Sequence, residues 1–163
     1  MHANRTRRML IGVGNVFRRD DGVGVEVARQ VQEEGLQGVT VLECPGEGGM
    51  LMEAWKDCDE VVLVDAVRSG SQPGEIHRLN AIEQPIPSDF FHYSTHAFSV
   101  AEAVETARAL HTLPARLVIY GVEGKDFGTG VELSPEVADA AVRVARRVVE
   151  EFRTGTGKRR CGS

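Results

Sequence analysis

The stretch Ile11 to Val27, IGVGNVFRRDDGVGVEV, limits what this chain can fold into more than any other. With Met9 and Leu10 ahead of it, its apolar start reads as a buried strand. Gly12 and Gly14 then let the backbone turn sharply where a side chain would clash. Asn15 can tie that turn by bonding its own backbone. Asp20 and Asp21 stand just before Val23, Val27, Ala28 and Val31, whose spacing predicts one apolar helix face. Two carboxylates at a helix start have a plain explanation in capping and the helix dipole. They also have a sharper one, in which one of them points into a cleft and binds a metal.

The rest of the composition narrows the class. At 163 residues the chain is long enough for one domain with its own core. A hydrophobic content of 42% and a charged content of 26% are those of a soluble globular protein. The net charge of -5 argues against a general nucleic-acid binder. Cys44, Cys58 and Cys161 form no Cys-x-x-Cys pair, which disfavours a disulfide framework or a zinc ribbon. The basic start, MHANRTRRML, has no apolar run behind it, and no segment is long enough to span a membrane. A reduced, cytoplasmic setting is the expectation.

Strands are predicted over Arg8 to Val13, Val39 to Cys44, Glu60 to Val64 (ending in Asp65), Glu75 to Leu79 and Leu117 to Gly121. The link from Asp65 to Glu75 is too short for a crossover helix, so the fourth strand should run antiparallel to the third. Helices are predicted after Asp21, running to about Glu34 with Gly35 as a stop, and near Leu51 to Lys56. A third follows the Ser99/Glu102 capping box, and a fourth runs from Ser134 and Pro135 to about Phe152. Between the fourth strand and the third helix lies a long irregular stretch, Asn80 to Thr95. A single α/β domain over residues 8–152 results, with residues 1–7 as an extension and residues 153–163 as a glycine-rich basic tail expected to be disordered. Alternating strands and helices make it a three-layer α/β/α sandwich around a five-stranded, mostly parallel mixed sheet with one antiparallel strand.

Ligands gather at the carboxyl ends of parallel strands. That rule puts the loop from Gly12 to Asp21 and the residue Asp65 on one rim. If the fifth strand is parallel to the first, the helix before it starts on the same rim, and His96 lies at that start. Asp21, Asp65 and His96 could therefore meet. Two carboxylates and an imidazole suit zinc, nickel, manganese or ferrous iron, with positions left for water or substrate. Each has a bland reading: Asp65 as a loop cap, His96 as packing, Asp20 as a cap or supporting group. His92 is a weak ligand candidate, and His2, His77 and His111 look peripheral. Cys44 could be a nucleophile, but burial is the commoner role. The Gly-x-Gly loop lacks a third glycine at Phe17 and a following GK[ST], which makes a phosphate cradle a weak reading.

Four segments, GVGNVFRRDDGVGVEVA, VVLVDAVRSGSQPGEIHRL, STHAFSVAEAVE and YGVEGKDFGTGVELSPEV, resemble the hydrogenase maturation endopeptidases, in order, over about Met9 to Phe152. That family recognises nickel and trims a C-terminal extension from the large subunit of nickel-iron hydrogenase. The resemblance implies a phosphorylase/hydrolase-like fold of five mixed strands between helices. It implies metal ligation by Asp21, Asp65 and His96, and an aspartic-type endopeptidase with Asp20, Asp21 and Asp65 as the catalytic set. The nickel would arrive with the precursor, and other divalent metals could replace it in the free enzyme. The chain departs from its relatives in having Asp21 where many carry glutamate, and Cys44 where some carry an aspartate. The implied mechanism docks a nickel-loaded precursor on these side chains, and water activated by the metal or by a carboxylate such as Asp20 cuts the chain. The main alternative is a nickel-binding accessory protein or chaperone that does not cut. A peptidyl-tRNA hydrolase-like enzyme and a nucleotide-binding module follow it.

Overall fold

The computed structural model describes residues 6–45, 48–87, 90 and 99–161. Five strands form one sheet in the order β2-β1-β3-β5-β4: β1 (Arg8–Val13), β2 (Val39–Cys44), β3 (Glu60–Val67), β4 (Ile76–Asn80) and β5 (Arg116–Glu123). The first four neighbours are parallel, and β4 runs antiparallel along the edge of β5. Side chains on a strand alternate between faces, and the two faces here carry separate cores. Leu10, Val62, Val64, Val118 and Val122 meet α1 (Val23–Glu34) and α4 (Pro135–Cys161) on one side. Ile11, Val61, Leu63, Leu117 and Ile119 meet α2 (Gly48–Trp55) and α3 (Val100–Ala109) on the other. The result is the expected three-layer sandwich. Its central strand β3 is buried along its whole length, as a strand covered on both faces must be.

Three expectations are corrected. β3 does not stop at Val64: it runs through Asp65 to Val67, paired with β5 as far as Glu123. β4 is antiparallel in direction to β3 but does not lie beside it, because β5 inserts between them. α4 does not end at Phe152: its backbone stays helical to Cys161, although Phe152 is its last core residue. The start of α3 is as expected: it begins directly behind the Ser99 cap, whose N–H donates to the Glu102 carboxylate at 2.8 Å.

The strand order contains one reversal. From β1 the chain moves outward to β2 and then returns to the other side of β1 as β3. The crevice between the carboxyl ends of β1 and β3 is therefore a topological switch point, where open α/β sheets take their ligands.

Candidate active site on the carboxyl rim of the sheet

Two backbone contacts shape the crevice. Gly24, in the first turn of α1, rests so close to β3 that a Cβ there would lie 2.2 Å from the Val64 carbonyl oxygen. Gly14 has φ +141, and a Cβ on it would lie 1.9 Å from the Asp21 carbonyl oxygen. Only glycine fits either place. As a result the loop after β1 folds tightly over the end of β3, and the short 3-10 turn Arg19–Gly22 touches that strand. Val64 adjoins Asp65, so Asp21 and Asp65 share one rim, and both are buried, at 6% and 3% exposure.

Their environments differ in detail. Asp21 Oδ2 accepts the Asn15 N–H at 3.0 Å. Asn15 ties its own turn as expected, its side-chain oxygen accepting the Phe17 N–H at 2.9 Å. Asp65 Oδ1 accepts the N–H of its neighbour Ala66 at 2.8 Å. It sits one rung beyond the last pair of β1 with β3, Gly12 with Val64, at the level where β1 reaches its final residue, Val13. By alternation it faces the α2/α3 side, opposite Gly121 of β5.

Asp20 stands apart. It is wholly enclosed, at 0% exposure, and accepts four hydrogen bonds. Three come from the Lys125 and Asp126 N–H groups at 2.8 Å each and the Ser134 N–H at 2.7 Å, and the Ser134 hydroxyl supplies the fourth at 2.8 Å. In return the Asp20 N–H donates to the Asp126 carbonyl at 3.0 Å. The carboxylate is thus a rivet between the loop after β1 and the loop between β5 and α4. Four donors on a sealed group leave it badly placed to take a proton from water. The Ser134 hydroxyl, read from the sequence as a helix cap, is committed to Asp20.

His96 and His92 lie outside the described residues, as does His2. Among the described residues no group of three or more His, Cys, Asp or Glu is placed to hold a metal ion. Cys44 is buried at the end of β2, 3% exposed, which suits packing better than nucleophilic attack. The Gly14 N–H donates to the Cys44 carbonyl at 2.9 Å, so the glycine loop spends that amide on the fold rather than on a phosphate.

One polar cluster was missed by the sequence reading. Glu123, 2% exposed, accepts the Ser69 N–H and hydroxyl at 2.8 and 2.7 Å, and His77 Nε2 lies 3.2 Å from its Oε1. His77 is therefore not peripheral: its ring also packs edge-on against Phe90, with centroids 5.0 Å apart. The cluster pins the loop after β3, one turn of chain beyond Asp65. An acidic residue ending the apolar run LVIYGVE was the available signal.

Comparison with known proteins agrees with this architecture. The family model for hydrogenase maturation protease matches residues 23–151. The chain is 25% identical over 159 residues to the hydrogenase expression/formation protein HupD of Bradyrhizobium diazoefficiens, covering 94% of this chain and 83% of that protein. It is 26% identical over 145 residues to a putative hydrogenase maturation protease of Methanocaldococcus jannaschii, covering 87% and 91%. Among solved structures, the [NiFe] hydrogenase maturation protease HycI from Thermococcus kodakarensis superposes with a TM-score of 0.69 at 27% identity, over 93% and 95% of the two chains. The hydrogenase maturating endopeptidase HybD from E. coli shares the fold, with a TM-score of 0.77 at 21% identity over 92% and 94%.

Proposed function

This chain belongs to the hydrogenase maturation protease family and is a peptide-bond hydrolase, and we propose that it removes a C-terminal extension from the large-subunit precursor of a nickel-iron hydrogenase. The observation that carries this reading is the pair of buried carboxylates, Asp21 and Asp65, brought to one rim at the switch point of the sheet. We assign His96 as their third partner. It stands three residues ahead of Ser99, which caps the helix leading into β5. Two carboxylates and an imidazole are a fitting donor set for the nickel that the precursor carries.

In this mechanism the nickel is part of the substrate. Precursor that carries it offers a cation to buried carboxylates, and binding relieves their desolvation. Precursor without it offers nothing to them and docks poorly, which is the checkpoint. Docking also brings the scissile peptide to the rim. A water molecule then attacks the scissile carbonyl and gives its proton to a carboxylate, which passes it to the departing peptide nitrogen as the C–N bond breaks, releasing the two peptide fragments. We assign that acceptor to Asp21, because its Oδ1 has no partner among the described residues. Asp20 serves by holding the loop that carries Asp21, and Asp65 serves as the opposing ligand. Cys44 and Cys58 form no disulfide among the described residues, which suits the reducing cytoplasm in which we place the enzyme. No described helix is long and apolar enough to cross a membrane.

The test is incubation with a purified large-subunit precursor, nickel-loaded or nickel-free, read by mass spectrometry. Loss of a C-terminal peptide from the loaded form alone is the expected result. Equal cleavage of both forms removes the checkpoint. An intact mass with stable complex formation favours the non-cutting accessory protein instead.

A further inference from the structure

We propose that Phe17 and Val131 form an apolar foothold by which the enzyme grips the folded surface of the precursor beside the segment to be cut, an inference that rests on the function proposed above. They are the two most exposed large apolar side chains among the described residues, at 66% and 69%. They come from loops more than a hundred residues apart in sequence, yet the fold stitches those loops together. Arg18 and Gly130 form a parallel backbone bridge. The Gly130 N–H donates to the Phe17 carbonyl at 3.0 Å, and the Arg19 N–H to the Gly130 carbonyl at 2.9 Å. Below them the four hydrogen bonds of Asp20 lock the same two loops.

The backbone at this junction is also strained. Arg19 has φ 47, a left-handed conformation that a non-glycine residue adopts only under constraint. A junction held this firmly, with its two apolar side chains turned out to water, is not explained by packing. It is suited to a rigid contact, because little ordering remains to be done when a partner arrives. The contact is also continuous with the site: Phe17 precedes Asp21 by four residues, and the Asn15 N–H between strand and foothold holds the Asp21 carboxylate.

Charge narrows the partner further. Arg19 is engaged by the Thr129 carbonyl and by Asp126, and Lys125 by Glu136. Arg18, between Phe17 and that engaged pair, has no ion pair among the described residues. The foothold therefore fits a protein surface that offers an apolar socket with a carboxylate at its border. Two side chains are too small an area to hold a lipid surface, and neighbouring Asp126 and Glu132 disfavour nucleic acid.

The experiment measures KM and kcat for nickel-loaded precursor with the wild type, the Phe17→Ser/Val131→Ser double variant, Phe17→Leu and Arg18→Glu, with a urea midpoint for each. The double variant should raise KM about tenfold or more and leave kcat and the midpoint unchanged. Phe17→Leu should keep a KM near that of the wild type, and Arg18→Glu should raise it by a smaller factor. An unchanged KM in the double variant overturns the proposal, and so does a fall in kcat alone, which would make the loops positioning devices. A wild type that cuts no precursor defeats the underlying function, and this inference with it. A wild type that cuts, with an unaffected double variant, defeats the inference alone.

Discussion

The two ends of the sheet bury carboxylates in opposite ways. Towards the amino end, Glu151 of α4 is 9% exposed and is met by cations. Arg78 Nε and Arg116 Nη2 each donate to it at 2.7 Å, and the Tyr120 hydroxyl donates as well. Burial works to raise the Glu151 pKa, but the bonds from Arg78 and Tyr120 outweigh it and hold the carboxyl below its usual value. Burial and the same carboxylate push the Tyr120 phenol up to about 12. On the carboxyl rim, Asp20 and Asp21 are met by backbone N–H groups and one serine hydroxyl, with no ion pair among the described residues. One fold thus completes the buried charge of Glu151 internally and, on the function proposed above, keeps that of Asp21 for a visitor. The first arrangement contributes stability and the second holds back stability for binding.

The largest expected effect tests the second half of that contrast. Asp21→Asn keeps an acceptor for the Asn15 N–H but removes the charge. Cleavage of loaded precursor should fall roughly 100- to 1,000-fold. The thermal midpoint should hold or rise, because an ionised group no longer has to be buried. Asp65→Asn should behave alike. A variant that loses stability in parallel with activity would show that the rim carboxylates are structural, and the contrast would collapse.

Asp20→Asn comes next and sharpens the contrast within the rim. The variant amide turns N–H groups towards donors, and buried N–H groups lose their acceptor. A loss of about 2–3 kcal/mol of unfolding free energy is expected from urea titration. Cleavage should fall as the loops separate, and it should partly recover at lower temperature. If instead Asp20→Asn keeps full stability and loses all activity, Asp20 is the proton acceptor, and Asp21 is relieved of that role.

Much of this was legible in the chain itself. The bounds of β1 and β2 could be read because glycine and proline punctuate plain apolar runs. The shared rim of Asp21 and Asp65 could be read because strand polarity alone imposes it. β3 and β5 were both cut short: β3 runs on through Asp65, which in isolation reads as a stop, and β5 runs past Gly121, a residue that commonly ends a strand, to Glu123. The edge position of β4 was hidden, since a short link sets direction and says nothing of a later strand inserting beside it. The overrun of α4 was masked by Gly155 and Gly157, each costing about 1 kcal/mol relative to alanine in a helix. The role of Asp20 left no sequence trace. Three of its four donors are backbone N–H groups more than a hundred residues away, and a backbone amide has no side-chain signature.

The smallest effect tests the internally completed end, and its sign should be the reverse of that at the rim. Glu151→Gln leaves Arg78 and Arg116 without their carboxylate while touching nothing near the rim. The Arg78 side chain is 43% exposed, so water screens part of the loss, and about 1–2 kcal/mol at pH 7 is expected. Cleavage should not change. The pH dependence gives a second check. The folded Glu151 carboxyl lies below its usual value of 4.5, so its contribution is fully present above that pH. It fades as pH falls from there through the depressed folded value, because protonation then favours the unfolded chain. The stability gap between wild type and Glu151→Gln should therefore be constant from pH 7 to about pH 5 and narrow by pH 3. A gap that persists undiminished at pH 3 would mean that packing, not charge, holds α4 against the sheet there. The two ends would then differ in shape alone.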